Sequence, residues 1–325
     1  MKVLVVGGAG YIGSHMVKIL GNLNYSVTTL DDLTSGYRDA VVCGDFVQGN
    51  IADSALVNDL LSRKFDAVFH FASSIEVAES MQFPDKYYQN NVVNTLNLLH
   101  CMIANNVKKF IFSSTAATFG EPQYIPIDER HPQNPINPYG RTKLIVEQAL
   151  SDYDKAYGLQ SVSLRYFNAA GADPEGHLGE RHHPETHLIP LVLQAASGRR
   201  EHIKVYGRDY ETPDGTCIRD YIHVNDLGSA HRLALESLME GKGSQAYNLG
   251  NGSGYSVQEI INTAERVTGR TISIVNAPRR VGDPAVLVAD STLARNNLGW
   301  SPQFSELATI IAHAWKWEKY LAGIK

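Results

Sequence analysis

The chain has 325 residues, 43% of them hydrophobic and 19% charged, and a formal net charge of −5. That length suits one large α/β unit or two lobes, and the composition is that of an ordinary globular protein. The mild charge and the lack of any Lys/Arg-rich run argue against nucleic acid or an anionic membrane as partner.

No apolar run approaches the ~18 residues needed to span a bilayer. Cys43, Cys101 and Cys217 show no metal-like spacing and suggest a reducing compartment. The chain runs straight into a strand-like segment, so no signal peptide is expected and the cytoplasm is the expected location.

Lys2–Val6 predicts a buried strand, followed by Gly7-Gly8-Ala9-Gly10-Tyr11-Ile12-Gly13 and a helix over Ile12–Leu23. Glycines between a strand and a helix permit a tight turn and let backbone approach a pyrophosphate, which the helix N-terminus then favours. A second strand, Ser26–Leu30, leads into Asp31, where a carboxylate can accept hydrogen bonds from an adenosine ribose; Asp32 is a rival for that role. A carboxylate there repels a 2′-phosphate, and no Arg follows at 32 or 33, so NAD is expected rather than NADP.

Further helices are predicted over Ala55–Leu61, Asp85–Asn105 and Tyr139–Tyr157, and further strands over Ala67–Phe71, Phe110–Ser114 and Ser161–Tyr166. Strand–helix alternation with apolar, β-branched strands implies a doubly wound parallel sheet, the Rossmann arrangement, with ligands at the carboxyl ends of the strands. After Asn168 the composition changes. Residues 168–186 and 207–217 read as loops, and helices follow over 190–197, 226–239, 257–268 and 305–322. The expected organisation is a dinucleotide-binding domain over 1–170, interleaved with a smaller mixed α/β lobe over 171–325.

Tyr139-x-x-x-Lys143 carries the chemistry. On a helix the two side chains share one face, and Asn137-Pro138 just before them supplies an N-cap and a first-position proline. A free tyrosine has a pKa near ~10 and is a poor base at neutral pH. A cation about 5 Å away at an effective dielectric of ~20 favours the phenolate by roughly 3 kcal/mol. Lowering the pKa by ~3 units needs about 4 kcal/mol, so Lys143 and an oxidised nicotinamide ring together suffice. Thr115, at the end of its strand, can hold a substrate hydroxyl and relay its proton to Tyr139. Ser113 and Ser114 are expected to cap the next turn.

The glycine loop, Phe110-Ile111-Phe112-Ser113-Ser114-Thr115, Tyr139-x-x-x-Lys143 and Arg165-Tyr166-Phe167-Asn168 together resemble the extended short-chain dehydrogenase/reductase family. Asp214–Val224, Tyr247–Gly250 and Pro278-Arg279-Arg280-x-Gly282-Asp283 narrow the resemblance to its UDP-hexose 4-epimerases. The similarity runs from Val3 to Trp317.

It implies inversion at C4 of UDP-glucose or UDP-galactose through a transient 4-keto sugar, with NAD tightly bound. Tyr139 would be the base, assisted by Lys143 and Thr115. Gly7, Gly10, Tyr11, Ile12, Asp31, Asn50, Ile51, Phe71, Ala72, Asn90, Tyr139, Lys143 and Tyr166 would contact NAD. Thr115, Tyr139, Phe167, Asn168, Leu188, Tyr206, Arg219, Arg280 and Asp283 would contact the UDP-sugar. Arg can grip a phosphate with two parallel hydrogen bonds, Tyr206 can stack on uracil, and Asp283 can accept from a ribose hydroxyl.

Some positions depart from relatives: Asn50 replaces Asp, Ile75 replaces Lys and His187 replaces Asn, while Leu287 falls where sugar size is limited. A homodimer is also implied, built on the helices around 85–105 and 139–157, where Val92, Leu96 and Leu99 recur at near-helical spacing. His182, His183 and His187 have metal-like spacing but no clustered Cys or Asp, and no metal is expected.

Overall fold

A computed structural model describes residues 1–280 and 282–324. Its larger sheet is built from β1 (Lys2–Val6), β2 (Ser26–Asp31), β3 (Asp45–Gln48), β4 (Ala67–His70), β5 (Lys109–Thr115), β6 (Gln160–Tyr166) and β10 (Gln245–Leu249). All are parallel, in the order β10-β6-β5-β4-β1-β2-β3. The direction of winding reverses between β1 and β4, which opens a crevice at their carboxyl ends.

Alternate residues of β1 serve opposite faces, as the two-residue strand repeat requires. Val3 and Val5 pack with Met16, Val17 and Leu20 of α1 (Tyr11–Asn22) and Leu235 of α8 (Val224–Met239). Leu4 and Val6 pack with Val57 and Leu60 of α2 (Ser54–Ser62), Leu98 of α5 (Asn94–Ala104) and Val146 of α6 (Pro138–Tyr157). Each inward side chain is fully buried, so each contributes on the order of 2 kcal/mol of apolar burial.

Two strands of this sheet, β3 and β10, were not anticipated. Asp45–Gln48 is short, half exposed and lies at the edge. Gln245–Leu249 lies beyond the expected lobe boundary, yet it pairs with β6 from Gln245↔Val162 to Leu249↔Tyr166. Helix α8 likewise returns to pack on α1, β5 and β6. Residues 224–249 therefore complete the larger sheet from within the second half of the chain.

The segment expected as one helix over 85–105 is α4 (Pro84–Tyr87), a π-helical turn over Tyr88–Val93, and α5, preceded by α3 (Val77–Gln82). Leu99 is fully buried and Leu96 partly so, both against the sheet. The side chains this region turns outward are others, among them Met81, Phe83 and Val93.

The smaller lobe holds β7 (Asn168–Ala170), β9 (Ile218–His223), β11 (Gly254–Ser256) and β13 (Val286–Leu287) around β9, plus the pair β8 (Ile203–Tyr206) and β12 (Ile274–Ala277). Helices α7 (Leu188–Ser197), α9 (Val257–Thr268) and α11 (Leu307–Ala322) close a third core through Ile189, Val192, Ile260, Ile261, Ile310 and Ile311, while α10 (Thr292–Leu298) flanks β10. Among the described residues no helix is long and apolar enough to cross a membrane.

Several imidazoles are buried in this scaffold and held neutral, His15, His70 and His231 among them. Desolvation pushes His70 down to about 3, with Lys143 adding to the effect, and pushes His15 and His231 down to about 4. Each folded pKa lies below the ordinary value, so the unfolded chain binds more protons between about 4 and ~6.5, and stability falls as pH drops through that window. We predict that stability declines from pH 7 to pH 5, and that His231→Gln lessens the decline by about 2 kcal/mol in urea titrations at the two pH values. An unchanged slope in that variant would refute the neutral-imidazole account.

Candidate functional site

The crevice is shaped first by backbone. Gly7 leaves β1 with φ +79°, and a Cβ there would lie 2.4 Å from Ala72 N and 2.7 Å from Phe71 C, on the chain leaving β4. A Cβ on Gly13 would meet Gly7 O at 2.1 Å. Only glycine lets the two strand exits and the start of α1 come this close. Gly10 is the N-cap of α1 and provides no capping side chain, and no acidic residue lies in the first turn. The free N–H groups and the helix dipole there are an anion cradle, and they fit a dinucleotide pyrophosphate.

Asp31 ends β2 and turns into the glycine loop. Its Oδ2 accepts from Ala9 N and its Oδ1 from Leu33 N, each at 2.9 Å. Burial raises its pKa most, and those two hydrogen bonds oppose the rise. Asp32 accepts from Thr34 N at 2.9 Å and from Asn50 Nδ2 at 2.6 Å. Asn50 is thus held beside the end of β2. Ile51 goes the other way, with its side chain in the core and its carbonyl accepting from Asn97. Tyr11 donates its hydroxyl to Gly171 O at 2.7 Å, which ties the loop to the start of the smaller lobe.

The reacting groups gather on the other side of the switch point. Helix α6 starts where the Asn137-Pro138 signal places it, with the Asn137 side chain accepting from Gly140 N at 2.8 Å. Its first turns press Tyr139, Thr142 and Lys143 inward. Lys143 is 2% exposed and donates to Ser73 Oγ at 2.7 Å and Ser113 O at 2.9 Å. Burial pushes its ammonium down to about 7, partly offset by Glu147.

The Tyr139 phenol is buried and driven well above its ordinary pKa. Desolvation is the main cause, followed by Tyr166; a hydrogen bond with Thr115 lowers it, and Glu76 raises it. Lys143 is directed at Ser73 and Ser113. Burial thus favours the protonated phenol, and positive charge in the cleft would favour the phenolate.

The strand-end hydroxyls differ from expectation. Thr115 is the one that caps the following turn, accepting from Ala117 N at 3.2 Å, because it is the N-cap of the 3-10 turn over Ala116–Thr118. Ser113 points off the sheet toward His231 Nε2 of α8 at 3.1 Å, and Tyr166 donates to it at 3.3 Å. Ser114 donates to Glu147, which also forms a buried pair with Arg165. Phe71 rests on the His231 ring, and Asn90 faces Ser74 at 3.2 Å. Sequence reasoning missed Ser73, Glu147 and His231. Glu147 lies four residues after Lys143, a spacing that was readable, and Ser73 sits just past β4.

In the smaller lobe the expected anchors occur in pairs. Arg219 donates to Asp283 Oδ1 at 2.6 Å and to Ile218 O. The Arg280 guanidinium lies 4.1 Å over the Tyr206 ring. Asn168 donates to Asp220 O at 2.9 Å from β7. Phe167 precedes it, half-buried, and Leu188 begins α7. Leu287 sits opposite Arg219 in the β13–β9 register. Ile75 is exposed. His182 and His187 meet Glu180 and Glu185, a set the histidine spacing alone did not reveal, while His183 stays out.

A family model described as the NAD dependent epimerase/dehydratase family matches residues 3–250. The chain is 51% identical over 320 residues to a UDP-glucose 4-epimerase of Halalkalibacterium halodurans, covering 98% of this chain and 96% of that one. It is 52% identical to the UDP-glucose 4-epimerase of Brucella ovis, solved in complex with NAD, with 97% of each chain covered and a TM-score of 0.95. The UDP-Glc/GlcNAc 4-epimerase of Campylobacter jejuni is 44% identical, with 98% and 99% covered and a TM-score of 0.86.

The buried ammonium has a measurable cost. Its folded pKa of about 7 lies below the ordinary ~10.5, so the unfolded chain holds the extra proton between those values and stability rises with pH across that window. Lys143→Met, which removes the charge, is expected to stabilise the ligand-free protein more at pH 7 than at pH 9.5. The difference should be on the order of 2–3 kcal/mol in denaturant titrations. Equal effects at both values would exclude a depressed Lys143.

Proposed function

The chain belongs to the NAD dependent epimerase/dehydratase family, and from that premise we propose that it interconverts UDP-glucose and UDP-galactose by inverting C4 through a transient 4-keto sugar. The observation that carries this reading is Tyr139, buried beside the Thr115 hydroxyl, on a helix whose Lys143 reaches the end of β5. Relatives named UDP-glucose 4-epimerase match about half the residues over nearly the full length, which supports it.

Gly7, Gly10, Tyr11 and Ile12 present backbone to the pyrophosphate of NAD. Asp31 accepts from the adenosine ribose, with Asn50 and Ile51 beside it. Phe71, Ala72, Asn90, Tyr139, Lys143 and Tyr166 surround the nicotinamide end. When bound, NAD supplies the hydride acceptor and donor for C4.

Tyr139 takes the proton of the C4 hydroxyl, directly or through Thr115, and later returns it. Burial holds the phenol's own proton in place, and positive charge gathering in the loaded cleft would favour its release, leaving the phenolate to accept the proton from C4–OH. Lys143 orients the ribose and adds to that charge.

Arg219 and Arg280 grip the diphosphate after leaving Asp283 and Tyr206. Tyr206 then stacks on uracil, and Asp283 accepts from the uridine ribose. Phe167, Asn168 and Leu188 line the sugar. Binding energy from UDP holds the oxidised sugar while it turns over between half-reactions.

A second reading widens the sugar. The Campylobacter jejuni relative is named for UDP-Glc and UDP-GlcNAc, and Leu287, a medium aliphatic at the size-limiting position, leaves the acceptance of an N-acetyl group open. Product analysis on UDP-galactose and UDP-GalNAc separates the two readings.

The enzyme acts as a homodimer in the cytoplasm. Met81, Phe83, Tyr88 and Val93 leave an apolar surface open beside α5, and Cys43, Cys101 and Cys217 are unpaired thiols.

Purified protein should convert UDP-galactose to UDP-glucose with no cofactor added. Tyr139→Phe should lower turnover by about 100- to 10,000-fold; undiminished turnover would refute the base assignment. Light scattering should give twice the chain mass, and a Val93→Glu variant should run as the monomer. A wild-type monomer at micromolar concentration would exclude the dimer.

A further inference from the structure

Beside the cleft, four ligand-type side chains converge from residues 180–187. Glu180, His182, Glu185 and His187 each offer an atom that lies within 4.8 Å of the other three. We propose that these four side chains form a binding site for a divalent transition-metal ion, with zinc the best match.

The carboxylates are almost enclosed, with 6% of each side chain exposed. Glu180 Oε1 lies 2.7 Å from His187 Nδ1 and 3.2 Å from His182 Nδ1. Glu185 comes within 3.1 Å of His187 Nδ1 through Oε1 and within 3.7 Å of His182 Nδ1 through Oε2. Zinc bonds to nitrogen and oxygen of ~2.0–2.2 Å in a tetrahedron put neighbouring ligand atoms about 3.3 Å apart. The observed separations straddle that value. Two imidazole nitrogens and two carboxylate oxygens make a set that zinc accepts, whereas calcium needs six or more oxygens and magnesium a near-ideal octahedron.

A closed group of ion pairs could have the same members, and one atom distinguishes the two. His182 Nδ1 is buried and makes no hydrogen bond of acceptable geometry, although two carboxylates lie within 3.7 Å of it. A buried nitrogen close to two carboxylates and bonded to neither is available to a metal ion. The surroundings hold the cluster in place. Trp317 Nε1 donates to Glu180 O at 2.9 Å, and the Tyr11 ring stands edge-on to His182 at 6.4 Å. His187 is the N-cap of α7. An ion here would tie the loop over 180–186 to the start of α7.

The test uses chelator-stripped full-length protein titrated with zinc sulfate alone, by calorimetry and by elemental analysis after desalting. Wild type should take up one zinc per chain, and its melting temperature should rise with zinc. Glu185→Gln and His182→Ala should each lose that equivalent and the rise, and His183→Ala, outside the cluster, should keep both. If His182→Ala does not fold, Glu185→Gln decides by itself. The proposal is overturned if wild type retains no stoichiometric zinc, if Glu185→Gln retains as much as wild type, or if His183→Ala loses it. The first two outcomes make the cluster a closed set of ion pairs, and the third places the zinc elsewhere.

Discussion

The contact on which the rest depends is between two stretches of backbone. β1 and β4 leave the sheet side by side, and Gly7 runs so close to Phe71 and Ala72 that no side chain fits between them. That closeness brings the start of α1 to the same place as the chain leaving β4. The anion cradle, Asp31 bonded back to Ala9, and Ser73 under Lys143 all inherit their positions from it. Loops carry function best when a rigid sheet aims them, and here the sheet's change of winding direction does the aiming.

Around that point the molecule handles charge in two ways. Structural charges are paired and enclosed: Arg165 with Glu147, and Asp220 held by the backbone N–H groups of Asn251, Gly252 and Ala289. Charges that face the cleft are held provisionally. Lys143 meets a hydroxyl, a carbonyl and the Phe112 ring, and Arg219 and Arg280 lean on Asp283 and Tyr206. A cation engaged by a replaceable partner stays oriented without being neutralised for good. That arrangement suits groups that must accept phosphate or tune a phenol.

Much of this was legible in the residue pattern because it rests on local rules. The strand–glycine–helix start, the Asn137-Pro138 cap and the apolar strands each follow from a few neighbouring residues, and the elements lie within a residue or two of where those residues put them. What escaped depends on distant partners. Gln245–Leu249 is a strand because β6 offers it an edge, which no periodicity over five residues can announce. Thr115 rather than Ser113 caps the turn because β5 extends one residue further and turns Ser113 toward His231. Leu96 and Leu99 have helical spacing for any face; the sheet claims them, and the outward surface falls to Met81, Phe83 and Val93. The Glu180–His187 cluster was hidden because its histidines were weighed without the glutamates that complete it.

The late return of α8 and β10 to the larger sheet bears on how the chain is made. A ribosome releases residues in order, and domains tend to fold as they emerge. Here the first six strands are out long before Leu249, and the β6 edge stays open while residues 171–244 are still being synthesised. An uncovered parallel edge next to nascent chain invites mispairing. Cutting the gene after β6 would make that exposure permanent, so the nucleotide-binding half has no complete form apart from the rest.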